Sequence, residues 1–199
     1  MQQKTASINT LKSLKIKVVQ MPLANKIYAK NIEHLKRQIE QIEKEIKRLI
    51  NKHPGLSDTV AYLSTIPGVG MLLATNFLVA TDGFTNDLAQ DYRKAAAFIG
   101  ICPYEHSSGT SVYKKPRTPK FGPSRLRKLL HLASRSVVHH KVKFAGYYGL
   151  KQSEGKNNRL ILNNVSNKLL KIMCAIIRTQ RPYIDNFVSL NPQNALFNT

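Results

Sequence analysis

Acidic residues are scarce in this chain, and they are unevenly spread. Eleven Asp and Glu stand against 31 Lys and Arg in 199 residues, a formal charge of +20. Between Glu105 and Glu154 lie 48 residues with eleven Lys or Arg and no acid. A surface so biased points to a polyanionic partner, of which nucleic acid is the commonest. The cations are dispersed rather than gathered on one amphipathic segment, which argues against a membrane surface as that partner. Cysteine is also sparse. Cys102 and Cys174 are far apart and form no CxxC, which excludes a disulfide scaffold and suits a reducing compartment. No apolar run approaches a membrane span, and the N-terminal MQQKTASINTLKSLK lacks the apolar core of a signal peptide. The expected location is therefore cytoplasmic. What remains is enough for one core plus an extension: the hydrophobic share is 42%.

Apolar spacing supplies the outline of a mainly α protein. Residues 1–24 read as a basic, weakly patterned segment with Pro22 as a breaker. Residues 25–53 then show Ile32, Leu35, Ile39, Ile42, Ile46 and Leu49 in steps of three and four, one narrow seam on a coiled-coil-like helix. That seam suits packing on its own domain, an antiparallel hairpin or contact with a second copy. Glu40–Lys44 and Glu43–Lys47 are i,i+4 pairs in the favoured order. Pro54 and Gly55 close the helix.

A compact helical domain is expected over 56–183, with a flexible tail over 184–199. It opens with an apolar helix that meets Pro67-Gly68-Val69-Gly70 before the next helix begins. This arrangement resembles a helix-hairpin-helix turn, in which glycines permit the bend and helix-start N–H groups face a backbone phosphate. A plain interhelical turn has the same spelling. Asp82-Gly83 turns the chain again, and Asp87 is expected to cap a helix running to about Phe98. Gly100–Gly122 reads as an irregular basic loop, with room for a short hairpin around Thr110–Tyr113. Its cations Lys114, Lys115, Arg117 and Lys120 alternate with Tyr113 and Phe121, a pattern that can follow a nucleic-acid backbone and stack on bases. Pro123 opens a helix carrying Arg125, Arg127 and Lys128. Phe144–Gly149 reads as an aromatic-rich break. A last helix over Asn157–Thr179 should bury Leu160, Val165, Leu169, Ile172, Met173 and Ile176.

Ser107-Ser108-Gly109 precedes the basic run. By residue type the pair is either an ordinary turn or a position for a nucleophile, with His106 the nearest base. His139 and His140 are adjacent, diverge by about 100° on a helix and make a poor metal pair. No metal is assigned to the chain.

Three pieces in order carry a resemblance: Ile66-Pro67-Gly68-Val69-Gly70; then Ala96-Ala97-Phe98-Ile99-Gly100 with Ser108-Gly109, Gly122 and Leu126-Arg127; then Phe144, Tyr147-Tyr148, Lys151, Gly155-Lys156 and Asn167-Lys168-Leu169-Leu170. Together they resemble the C-terminal transposase domain of the one-ten family of insertion sequences, also named for its one-sixteen and nine-oh-two members. The match covers roughly 60–183, and it argues against a ribosomal-type RNA-binding protein. The resemblance implies a DNA recombinase whose serine nucleophile corresponds to Ser108. It further implies dimers or larger assemblies and, for some members, a guide RNA from the element. In that family a RuvC-like domain supplies acids for Mg²⁺. No counterpart is found here, where Met1 begins near the helical linker. The expectation is a domain that binds no cofactor itself, contacts DNA through Pro67, Gly68, Gly70, Lys114, Lys115, Arg117, Lys120, Arg125 and Arg127, self-associates through 25–53, and works with a separate RuvC-like domain or survives as a binding remnant.

Overall fold

The computed structural model describes residues 2–16, 21–108, 112–118 and 121–185. The chain divides into two compact units, Met1–Ser57 and Asp58–Thr199.

The first unit is a helical hairpin. α1 spans Gln2–Ile16 and α2 spans Pro22–Asn51. The N-terminal segment, read only as basic and weakly patterned, is helical over Gln2–Ile16. Pro22 does break the chain, but as the first residue of α2, where its missing N–H leaves no bond unmade. The two helices run antiparallel. Asn31 Nδ2 donates to Ser7 Oγ at 3.3 Å, and Ser7 and Leu14 are buried. α1 is about 22 Å long and α2 about 45 Å at the usual rise, so α1 covers only part of its partner. Along the seam Ile32, Leu35, Ile39 and Ile46 are half-buried, whereas Ile42 and Leu49 remain exposed. The exposed ion pairs on α2 are Glu33–Arg37 and Glu45–Arg48 rather than the two read from the sequence.

The second unit is a helical domain around one long central helix. α3 (Pro54–Ser64) and α4 (Met71–Ala80) flank the Pro-Gly-Val-Gly turn. Pro54 opens a helix as well as following one. The chain then reverses through Asp82, Gly83 and Phe84, all with positive φ, and Phe84 is buried near Phe77. The single helix expected from Asp87 to Phe98 is two: α5 (Asp87–Gln90) and α6 (Tyr92–Ile99). The caps are Asn86, whose side chain accepts from Leu88 N at 3.1 Å, and Asp91, which accepts from Arg93 N at 2.8 Å. Asp87 instead pairs with Lys94 at 2.7 Å on the surface.

The segment read as irregular is ordered as an antiparallel hairpin, β1 (Tyr104–Ser108) with β2 (Val112–Arg117). Tyr104 faces Arg117 and His106 faces Lys114, so two steps on β1 oppose three on β2. The extra residue falls beside Pro116, which has no N–H for the ladder, and a bulge there costs least. Residues 109–111, and with them most of the turn placed near Thr110, lie outside the described residues.

α7 (Ser124–His140), α8 (Val142–Ser153) and α9 (Asn158–Thr179) complete the unit. Phe144–Gly149 is helical within α8 rather than a break. α9 is capped by Asn157, whose side chain accepts from Arg159 N at 2.9 Å. It buries Val165, Leu169, Met173 and Ile176 as expected, with Ile161 and Leu170 in addition, while Ile172 is half-buried and Leu160 is 48% exposed. α7 and α9 meet through small residues: Ser134 Oγ and Ser166 Oγ lie 2.8 Å apart, one hydroxyl donating to the other, which donates in turn to a carbonyl of its own helix, Leu130 O or Leu162 O. α9 is long and apolar enough to cross a membrane by length and composition alone, yet half of that window is buried inside this domain. The core accounts for its hydropathy.

Candidate nucleic-acid interface

Two glycines set the backbone of this surface. Gly68 has φ +80°, and a Cβ there would lie 2.8 Å from Ala133 O on α7. The Pro-Gly-Val-Gly turn therefore rests directly on that helix, with Val69 buried beneath it and Pro67 half-buried. Gly70 is the cap residue of α4 and offers no side-chain acceptor to the helix start. The initial N–H groups of α4 are thus left to solvent or a ligand. Ala133 is eight residues beyond Arg125, about 12 Å along α7.

Gly122, with φ +83°, is the tighter position: a Cβ there would stand 1.9 Å from Phe98 O. It lets the strand leaving the hairpin pass against the end of α6. At the same place Gly100 closes α6 in the left-handed conformation. Arg127 Nη1 donates to both Ile99 O and Phe121 O at 2.9 Å, joining the residues on either side of the hairpin. From α9, Asn163 Nδ2 donates to Ile101 O at 2.8 Å, with Asn167 Nδ2 at 3.4 Å. The hairpin is thus rooted on α7 and α9 by side chains that recognise backbone carbonyls.

The sequence-derived residues therefore separate by role. Arg127, expected at a phosphate, is half-buried and holds the hairpin base. Arg125 is exposed on the first turn of α7. Lys114, Lys115 and Arg117 lie along β2, and Ser108 ends β1 opposite Val112, two residues after His106. Lys120 lies outside the described residues. Phe121 is 82% exposed at the foot of the hairpin, where an apolar ring is available for stacking.

Sequence reasoning missed two features. Asn163 and Asn167 gave no signal, because an Asn on a helix face names no carbonyl. The other was readable: Arg125, Lys128, Leu132, Arg135 and His139 follow i, i+3, i+7, i+10, i+14 and form one exposed stripe on α7. Arg125, Lys128 and Arg135 have no acidic partner among the described residues. The stripe extends the positive face beyond the hairpin.

No group of three or more His, Cys, Asp or Glu among the described residues could hold a metal ion. Asp87 and Asp91 are accounted for by an ion pair and a cap.

Residues 60–149 match the model of the Transposase IS116/IS110/IS902 family. The chain is also similar to two curated proteins named pilin gene-inverting protein. It is 32% identical over 155 residues to that of Moraxella bovis and 31% identical over 155 residues to that of Moraxella lacunata. Each match covers 77% of this chain and 47% of the relative, so the chain spans about half the length of these relatives.

Proposed function

Residues 60–149 are a transposase domain of the IS116/IS110/IS902 family, and from that premise we propose that this chain is a DNA-binding recombinase domain that contributes Ser108 to a composite active site. The observation that carries the reading is the rooted basic hairpin: the family's Ser-Gly step falls where β1 ends, and Lys114, Lys115 and Arg117 follow on β2. The relatives' printed name, inversion of a pilin gene, denotes DNA rearrangement and agrees with this substrate class.

In the reaction proposed, Ser108 Oγ attacks a phosphodiester. The Oγ–P bond forms, one P–O bond to a sugar oxygen breaks, and the serine proton leaves to a base while the departing oxygen takes up a proton. The phosphoserine link conserves the bond energy, so a later attack by a sugar hydroxyl rejoins DNA without an external energy source. In this reading Arg125 and the hairpin cations offset charge on the transferring phosphoryl group. His106 is the base candidate within this chain. In this reading a RuvC-like domain supplies the acids that would hold a metal ion. The Pro-Gly-Val-Gly turn contacts backbone phosphate in the manner of a helix-hairpin-helix motif. The α2 seam pairs with a second copy as a coiled coil, and a guide RNA shares the positive face.

Covalent capture on supercoiled element-junction DNA with Mg²⁺ tests this, using the chain alone and with a RuvC-like partner domain. A denaturant-resistant adduct that disappears in Ser108→Ala is expected only with the partner. Salt-sensitive binding with no adduct in either setting would instead favour a non-catalytic DNA- or RNA-binding remnant. Replacing Lys114, Lys115 and Arg117 together should lower the slope of log affinity against log salt by up to about 3. An unchanged slope refutes the hairpin as the backbone contact.

A further inference from the structure

A second cationic site lies away from the hairpin, in a groove between α8, α9 and the segment that follows α9. Its volume is about 280 Å³, and its walls are mostly apolar, with Phe144 on one side and Ile172 and Ile184 on the other. Three lysines stand around it: Lys143, Lys168 and Lys171. Its one acid, Asp185, is already engaged, accepting from Lys141 Nζ at 2.9 Å and from Tyr183 Oη at 3.3 Å. The rim therefore carries an excess of positive charge over a greasy floor.

Lys168 is the informative member. Its ammonium sits 3.5 Å from the centre of the Tyr147 ring, a cation–π contact that fixes its position. Burial and the nearby charges of Lys151 and Lys143 together pull its pKa below the ordinary lysine value. Lys143 and Lys168 feel each other's charge across the groove, and an anion entering there stabilises both, with Lys171, whose ammonium lies 5.5 Å from the centre of the Tyr92 ring, also lining it.

We propose that this groove holds one unpaired nucleotide of a nucleic-acid strand, its phosphate among Lys143, Lys168 and Lys171 and its base against Phe144, Ile172 and Ile184. The volume decides the size of the occupant. It falls at the small end of ligand pockets, roughly 300–1,000 Å³, and suits one base with its sugar rather than a stacked duplex. The amphiphilic lining decides the chemistry. A bare phosphate leaves the apolar wall uncovered, and an uncharged base leaves the lysines unmatched. A stacked base pair cannot present a base to such a recess, so the site selects unpaired strand, as enzymes that extract a base do. The inference rests on the DNA-binding reading above and adds to it a second contact with a different preference.

The test is binding of a short oligothymidylate strand and of a duplex of equal length by the full chain, in three variants. They are Tyr147→Leu, Lys168→Met, and the double variant Lys143→Gln with Lys171→Gln. Lys143 and Lys171 are exposed, so the double variant remains informative if either of the others fails to fold. Each should weaken strand binding by about tenfold, the scale of one lost base contact, and leave duplex binding within about twofold. Lys168→Arg should restore most of the strand affinity. Equal losses for strand and duplex, no loss for either, or displacement of the strand by inorganic phosphate alone would each overturn the groove as a nucleotide site. The hairpin triple variant distinguishes the two readings: it should lower duplex binding while the groove variants do not. A wild-type chain that binds neither probe overturns both.

Discussion

Single residues settle more of this structure than the basic composition does. Gly122 combines a left-handed backbone with a carbonyl where a Cβ would stand, and Gly70 has neither constraint. Gly122→Ala should therefore cost about 3 kcal/mol or more, and Gly70→Ala about 0.5 kcal/mol or less, in urea unfolding. Similar midpoints for the two variants would contradict the close approach to Phe98. Cys174 gives a pH signature. Burial, with a lesser push from Asp91, raises its thiol pKa from 9.0 to about 12. The folded state keeps that proton where the unfolded chain releases it. The associated stability is complete below pH 9.0 and is lost as pH rises toward about 12. Cys174→Ala should show a shallower alkaline fall in its unfolding midpoint than wild type, and identical falls would refute the buried thiol's part in it.

At the scale of elements, the hairpin and the helices that root it behave as one construction. Arg127→Ala removes the donor shared by Ile99 O, which is part-buried, and Phe121 O, which is exposed, and losing such charge-assisted bonds costs about 1–3 kcal/mol. The expected readout is faster amide exchange across Tyr104–Arg117 with the salt slope of DNA binding unchanged. A smaller salt slope with unchanged exchange would return Arg127 to the phosphate backbone. Helix positions were legible in the sequence wherever an apolar period ran for several turns: α2 and α9 stand within a few residues of their expected limits, and α4 and α7 begin where the turn residues placed them. Short signals misled. Asp87 has the right residue type for a cap, but Asn86 and Asp91 are the residues that meet free N–H groups, and two short helices replace one. The aromatics of Phe144–Gly149 look like a break because two glycines accompany them, yet packing of Phe144 keeps α8 helical. The hairpin was invisible to periodicity because Pro116 and the dense charge hide a strand pattern. Its anchors are contacts between a side chain and a distant carbonyl, which no local spacing records.

For the molecule as a whole, charge pointed to a polyanionic partner and three ordered pieces to the family, while neither indicated how the cations are arranged. They fall on a hairpin, on one stripe of α7 and, separately, around a groove beside α9, elements that lie apart in sequence. The division after Ser57 cuts α3, so a fragment meant to fold alone should begin at Pro54. Such a fragment should retain the slow amide exchange of α9 seen in the full chain. Early exchange throughout α9 would show that the second unit depends on the first. The paired feet of the hairpin carry a consequence for how such a protein diversifies. Ile99 and Phe121 converge on one guanidinium nitrogen, and Ile101 is buried and held from α9, so the helices grip the hairpin at its feet. The arm works as an exchangeable tool bit in a fixed chuck: a graft that keeps Gly100, Ile101, Gly122 and Arg127 should seat on these helices whatever it is shaped to grip.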